Sequence, residues 1–405
     1  MKKDTFLITG GNFNNKGAQA MLFVTVSELR DRFPDCEIIV ETFDVIPAHY
    51  KFLPLRIWST EWKSFGSSVS VLYYYIRKSI KSIVRRDHSL KEYIELINTI
   101  KGLTAIVDIS GFHLSSQWGN EISDTYLDRI KAAKRFHVPV FLMPQSFGPF
   151  DYEKDSERIR NKIRKYLQYP KVIFAREKSA YDLLVEEYQL NNIRHSCDLV
   201  LQNRDVNYDS VDEYEADLSN IIVDAGSVAI IPNMRNFDHG NKVDILEAYS
   251  SLIELLQYMD KKIYILRHSG EDIKACEMIY KRLNDKTNVF VVSDELNCIE
   301  FNHVIRSFDY VIASRYHSII HSYKNGVPTI VMGWAEKYHE LLSLFGQEKY
   351  MIDVRERIDC RKLETMVKRL EDNFLQEKQR IQKGLAAYQN SNCFDSISEE
   401  LLLSR

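Results

Sequence analysis

A chain of 405 residues exceeds what one ordinary hydrophobic core supports and points to two domains of roughly 200 residues each. Its 45% apolar and 27% charged composition excludes a disordered or fibrous chain, and a net charge of −3 supplies no global attraction to nucleic acid. The six cysteines are far apart and form no C-x-x-C pair, so neither a zinc cluster nor a disulfide framework is indicated and the cytosol is the expected compartment. The apolar run before the first glycine is too short for a secretory signal, and no stretch reaches transmembrane length.

Residues 5–9 read as a first strand, followed by a loop rich in glycine and asparagine from Gly10 to Gly17 and a helical pattern over 18–33. The loop lacks the spacing of a dinucleotide fingerprint or a P-loop. Its backbone N–H groups and the amides of Asn12, Asn14 and Asn15 suit a ligand, and they equally suit a plain βα turn. Residues 37–43 give a second strand, after which the alternation lapses until 103. Within that interval Val69, Leu72, Tyr73, Ile76, Ile80, Ile83 and Val84 recur at helical spacing, with Arg77, Lys78, Lys81, Arg85 and Arg86 mostly on other faces. Residues 69–86 therefore form a basic amphipathic helix suited either to its own domain or to peripheral contact with an anionic membrane.

The alternation resumes with a strand at 105–109, a helix at 124–136, a strand at 138–143 and the turn Gln145-Ser-Phe-Gly-Pro149. A helix at 153–167, a strand at 172–175 and a helix at 178–188 follow. Asp108, His113, Gln145 and Arg176 fall at strand ends or just after them; each suits a loop cap, and together they outline a polar crevice. The acidic, weakly periodic stretch 202–226 is the expected domain boundary. A second series has strands at 227–232, 262–266, 289–292, 310–313, 329–332 and 351–354, with helices at 243–259, 273–283 and 298–306. A charged helix over 361–388 is long enough to span both domains. The expected organisation is a first domain at 1–205, a second at 226–360 and a helical tail at 361–405, in the α/β class, with two Rossmann-like domains facing a cleft.

The most informative stretch is 312–333. Ser314 is suited to cap the helix that follows, which sets Arg315 and His317 between the carboxyl end of a strand and the amino end of a helix. In open α/β sheets that crevice binds ligands, and free helix N–H groups favour anions. Arg315 offers a planar fork for carboxylate or phosphate, and His317 can move a proton near neutral pH. The plainer alternative pairs Arg315 with a structural carboxylate and leaves His317 as a satisfied helix-start residue. Arg235, Arg267, His268 and Lys337 fall at neighbouring strand ends, and their convergence would suit a small, multiply charged anion. His317 and His321 have metal-ligand spacing, but Ser318 stands where H-E-x-x-H has glutamate and no third ligand is evident, so no metal is expected. No G-x-S-x-G motif or cysteine nucleophile context is present, and the dispersed aromatics do not match an RNA-binding sheet.

Taken together, these residues resemble the polysaccharide pyruvyl transferases. The resemblance rests on Ser314-Arg-Tyr-His-Ser318 followed by Gly326-Val-Pro328 and Lys337, and on the loop Gly11-Asn-Phe-Asn-Asn-Lys-Gly17. Met143-Pro-Gln-Ser-Phe-Gly-Pro149, Ala175-Arg-Glu-Lys-Ser179 and Cys197-Asp198 complete it, in the expected order over about 5–355. Ser110-Gly-Phe-His113 stands where the family usually has a glycine pair, and 47–101 has no counterpart, which makes that interval a place for acceptor recognition.

The resemblance implies a fold similar to B-type glycosyltransferases. It also implies transfer of a pyruvate unit from phosphoenolpyruvate to a sugar of a surface or capsular polysaccharide precursor, as a ketal, with release of phosphate and no cofactor. Arg315 then takes the donor's anionic groups with Arg235 assisting, and His317 performs acid/base work or assists the departure of phosphate. Arg267, His268, Ser314 and Lys337 are further donor-side candidates. Asn12, Asn14, Asn15, Gly17, Asp108, Gln145 and Arg176 belong to the loop and the acceptor side, facing a free or lipid-linked oligosaccharide. The expected location is the cytoplasm, at the inner membrane face if 69–86 binds lipid. Two other readings are a nucleotide-sugar glycosyltransferase of the same architecture and a non-catalytic binding protein on this scaffold.

Overall fold

The computed structural model describes residues 3–85, 89–203, 206–212, 223–292, 295–389 and 392–403. Its first sheet contains β1 (Thr5–Thr9), β2 (Glu37–Glu41), β3 (Leu53–Leu55), β4 (Ala105–Asp108), β5 (Val140–Gln145), β6 (Val172–Ala175) and β7 (Ile193–His195). These pair in the order β3-β2-β1-β4-β5-β6-β7, every pair parallel. The second sheet contains β8 (Val228–Ile231), β9 (Ile263–Leu266), β10 (Val289–Val292), β11 (Tyr310–Ala313), β12 (Thr329–Gly333) and β13 (Met351–Asp353). Its order is β10-β9-β8-β11-β12-β13, again all parallel. Nearly continuous Val, Ile, Leu and Phe runs make these strands, because both faces are covered by helices and leave no polar face to alternate with.

The chain order reverses beside β1 and β4 in one sheet and beside β8 and β11 in the other, so each domain has its ligand crevice at the carboxyl ends of that pair. The short edge strands β3 and β7 were not expected; two of the three residues in each are exposed, so neither forms a buried apolar run. The interval 47–101 forms β3 and three helices, Ser59–Phe65, Ser68–Arg85 and Ser89–Gly102. Trp62, Phe65, Tyr93, Leu96 and Ile100 from this layer are buried in the core behind the first sheet. Of the expected boundary stretch 202–226, residues 204–205 and 213–222 lie outside the described residues.

The helix Lys16–Arg32 joins the domains. Its residues from Lys16 to Leu29 are buried, as an all-round apolar run such as Ala18, Ala20, Met21, Leu22, Phe23 and Val24 requires. Those side chains share one core with Ala229, Ile231, Phe301 and Ile320 of the second domain. The helix Cys360–Tyr388 starts on the second core through Leu363, Met366, Val367 and Leu370 and reaches the shared core with Ile381 and Leu385. A further helix, Asp395–Leu403, returns to the first domain, where Arg194 donates to Ser396 Oγ at 2.8 Å and the Cys393 N–H donates to Gln202 Oε1 at 2.9 Å.

A buried polar network fixes the strand ends of the first domain. Asp108 accepts from Thr9 Oγ1 at 2.7 Å, Ser110 Oγ at 2.9 Å, Gln145 Nε2 at 3.3 Å and Arg129 Nη1 at 3.0 Å. Arg129 also pairs with Glu41 at 2.8 Å. Burial pushes the Glu41 carboxyl upward and Arg129 opposes it. Arg129→Leu leaves two buried carboxylates without their shared cation, and it is expected to cost about 3–5 kcal/mol, seen as a lower urea midpoint for the first domain.

Candidate active site

The two crevices face each other across one cleft of about 340 Å³. From the first domain it receives Gly10, Asn12, Asn15, Ser110 to His113 and Arg176; from the second, Asn233, Arg235, His268, Arg315 to His317, Lys337 and Tyr338. The domains touch directly at its floor. Asn15 and Ser269 form an antiparallel bridge, and Lys16 Nζ donates to the His268 carbonyl at 3.4 Å.

At the junction lies Asp198, which is fully buried and caps the short helix Leu199–Gln202 by accepting from the Val200 N–H at 3.0 Å. Its Oδ2 accepts from Arg176 Nη1 at 2.7 Å and lies 3.5 Å from His317 Nε2. Burial alone would raise its pKa, but His317 and Arg176 outweigh that and hold the carboxylate well below its usual range. Arg176 Nη2 donates to the Gly111 carbonyl at 3.0 Å and to Ser146 Oγ at 2.7 Å, and its guanidinium stacks 4.6 Å from the Tyr316 ring centre. The His317 ring packs so closely on Gly17 that an added Cβ would lie 2.2 Å from the imidazole. Glycine is required there.

Arg315 satisfies much of the plainer expectation, because Asp272 accepts from its Nε at 2.9 Å and its Nη2 at 2.6 Å, and Glu271 accepts from the same Nη2. Its Nη1 makes no bond among the described residues. Arg235, at the cleft mouth, pairs with Glu271 and Asp238, both at 3.2 Å. His268 is buried with neither ring nitrogen partnered, and burial together with His321 and Lys16 holds it well below its usual pKa, hence neutral. Arg267 does not line the cleft and lies 3.7 Å from Glu295.

Ser314 is not the cap anticipated for the helix Tyr316–Lys324. Its hydroxyl shares a hydrogen bond with Tyr249 at 2.8 Å, and Arg315 occupies the cap position without a side-chain bond. Asp108 and Gln145 lie behind the wall, in the network described above, and Asn14 turns to Asp44 at 3.2 Å. His321 sits in the core against Phe301 and His268, and burial with the nearby His317 lowers it to about 3.

Lys337 has no acid partner. Its ammonium lies 4.7 Å from the Phe112 ring centre, 5.7 Å from Tyr316 and 5.8 Å from Tyr338, and it makes no ion pair or hydrogen bond among the described residues. Burial, followed by the positive charge of Arg176, brings its pKa down to about 8. Sequence reasoning set Asp198 down only as part of a motif and did not place it in the site. Its position between a buried cysteine and a helix start was the available signal, but its partners lie 22 and 119 residues away in sequence.

Parallel sheets facing each other across a strand-end cleft define a GT-B-type fold, and solved structures of low identity share it. A UDP-N-acetylglucosamine 2-epimerase superposes with a TM-score of 0.58 at 14% identity, over 100% of this chain and 96% of that one. A Neisseria meningitidis UDP-GlcNAc 2-epimerase bound to UDP-GlcNAc gives 0.56 at 12%, over 99% and 100%. Medicago truncatula UGT71G1 complexed with UDP-glucose gives 0.55 at 11%, over 99% and 98%. Residues 15–336 match the polysaccharide pyruvyl transferase family, and the chain belongs to that family. A search of curated proteins finds no match.

The isolated Lys337 charge has a thermodynamic consequence. Its folded pKa of about 8 lies below the ordinary 10.5, so between those values the unfolded chain binds more protons and stability rises with pH. Lys337→Met is therefore expected to stabilise the fold at pH 7 by an amount on the order of 3 kcal/mol, read as a higher thermal midpoint. The gain over wild type should shrink as pH climbs through 8 toward 10.5, in melts recorded across that range.

Proposed function

We propose that the cleft binds phosphoenolpyruvate and transfers its pyruvate unit to two hydroxyls of a sugar in a surface polysaccharide precursor. The observation that carries this is the Lys337 ammonium, without an ion pair among the described residues, in the same cleft as Arg176 and His317, which Asp198 joins. A half-buried cation with no such pair, opposed only through space by Glu177, is a site for an anion. Lys337, the free Nη1 of Arg315 and the uncapped first turn of Tyr316–Lys324 supply positive potential for the donor's phosphate and carboxylate.

The chemistry requires proton movement at defined atoms. C3 of the donor gains a proton and becomes a methyl group, leaving positive charge at C2. A first acceptor hydroxyl adds to C2 and loses its proton, phosphate departs, and a second hydroxyl adds and loses its proton. Of the two protons released, one balances the methyl group and the other leaves with phosphate. His317, held by ionised Asp198, is the group we assign to protonate C3. The reaction as written calls on no cofactor.

Incubation with phosphoenolpyruvate and a free or lipid-linked oligosaccharide tests the reading. Phosphate release should depend on the acceptor, and the acceptor should gain the mass of pyruvate less water. Transfer from a UDP-sugar alone would establish the nucleotide-sugar reading instead. His317→Gln should lower turnover by about 10²–10⁴-fold. Because the Lys337 amine loses its charge as pH rises through about 8, calorimetric affinity for phosphoenolpyruvate should fall above that pH. Lys337→Arg, which stays charged, should remove the fall.

A further inference from the structure

A second cavity, of about 580 Å³, opens off the cleft and shares Lys337, Arg235, Phe112, Trp118 and Trp334 with it. Its walls are aromatic. The Trp334 indole stacks on His239 at 4.7 Å and 14°, and Trp118 meets Phe112 edge-on at 6.1 Å. At its inner end is Glu177, only 5% exposed. Ser146 Oγ donates to Glu177 Oε1 at 2.7 Å, and Arg176 Nε stands 3.7 Å from the same oxygen. Glu177 Oε2 is buried with no partner. A buried carboxylate oxygen without a donor carries a desolvation cost unless a ligand's O–H or N–H meets it.

We infer that this cavity is the acceptor subsite, holding a pyranose ring with its C–H face on Trp334 and its reacting hydroxyl on Glu177. Aromatic walls suit the apolar face of a sugar ring, and Glu177 and Lys337 line the same cavity, Lys337 being shared with the cleft. Glu177 Oε2 takes the proton of the first attacking hydroxyl as its oxygen bonds to the donor's C2 and gives it to the departing phosphate. It then takes the proton of the second, which returns through solvent to His317 after that imidazole has protonated C3. The inference rests on the pyruvyl-transfer reading.

Saturation-transfer NMR with methyl pyranosides of the gluco, galacto, manno and 2-acetamido series, run beside UDP, tests it together with calorimetric titration of phosphoenolpyruvate. At least one pyranoside should show saturation on its ring C–H protons, lost in Trp334→Ala and kept in Glu177→Gln. With that sugar as acceptor, Glu177→Gln should lose about 10²-fold or more in kcat, while both variants retain measurable phosphoenolpyruvate binding in the titration. Silence from every pyranoside, saturation that survives Trp334→Ala, full turnover by Glu177→Gln, or UDP in place of the sugars overturns the assignment. Binding of a pyranoside without binding of phosphoenolpyruvate supports the sugar subsite and overturns the donor reading.

A different observation carries a second inference. On the helix Ser68–Arg85, Val71 and Tyr74 pack against the first domain's core and Lys78 pairs with Glu61 at 3.8 Å. Val69, Leu72, Tyr73 and Ile76 occupy the opposite face at i, i+3, i+4 and i+7, and they are 49% to 79% exposed. Arg77, also exposed, flanks them. Residues 62–86 contain six Lys or Arg and no Asp or Glu, in a chain whose net charge is −3. We propose that this outer face docks on an anionic phospholipid surface, because an apolar, tyrosine-bearing stripe with Arg77 beside it, in a segment whose charges are all basic, matches a membrane interface. Among the described residues no helix is long and apolar enough to cross a membrane, so the contact is peripheral.

The protein should sediment with phosphatidylglycerol–phosphatidylcholine vesicles, less so at high salt, and not with phosphatidylcholine alone. Leu72→Asp combined with Ile76→Asp should abolish sedimentation while leaving the thermal midpoint and phosphoenolpyruvate affinity unchanged. Failure to sediment, or a wild-type dimer in ultracentrifugation that the same substitutions dissociate, overturns the proposal and in the second case makes the face a protein interface.

Discussion

The site depends on one buried carboxylate. Asp198 comes from the first domain, yet its Oδ2 faces Arg176 of that domain and His317 of the other. With two partners its charge is stable in a buried setting, where an isolated carboxylate would take up a proton. The consequence is positional. Arg176 is drawn over Tyr316, His317 is held against Gly17, and the two halves of the cleft are tied at the depth where a small ligand would react. Around this contact the helix Lys16–Arg32, buried along almost its whole length, makes the domains share a single apolar core.

The other charges in the cleft divide according to whether the protein already answers them. Arg315 and Arg235 are met by Asp272, Glu271 and Asp238, so they cost little to keep in the empty protein, and they offer a ligand only their spare donors. Lys337 makes no ion pair among the described residues and is offset only through space by Glu177, and Glu177 Oε2 has no hydrogen-bond partner. They have opposite sign, line the same second cavity and do not pair, which leaves each available to a different partner. Unsatisfied groups of this kind reduce folding stability, and they persist where binding supplies the missing contacts.

Much of this architecture was legible in the chain. The alternation of buried strand runs with helical periods gave both sheets except for the three-residue edges β3 and β7, and the strand-end positions of Arg176, Arg235, Arg315, His317 and Lys337 followed from it. What could not be read was which polar residues turn inward together. Asp108 and Gln145 occupy strand ends just as Arg176 does, but Arg129 and Glu41, from a helix and a neighbouring strand, draw them behind the wall. Arg267 and His268 are adjacent in sequence, yet only His268 lines the cleft, and burial leaves it neutral. Such outcomes are set by contacts between distant segments, and a local pattern carries no trace of them.

The corner after β11 shows how the fold and the chemistry meet. A serine before a helix ordinarily accepts from a first-turn N–H. Here Ser314 instead bonds Tyr249, its carbonyl is held by Asn233 and Tyr338, and the cap position falls to Arg315, whose side chain is committed to Asp272. No side chain competes for the first-turn donors of Tyr316–Lys324. A capped helix would be more stable in isolation, but its amino end would already be satisfied. Turning Ser314 into the core secures the strand-to-helix junction and leaves the first turn of the helix without a side-chain cap beside the cleft that Tyr316, His317 and Lys337 line. An anion is the one kind of ligand that gains from that turn, His317 and Lys337 at once.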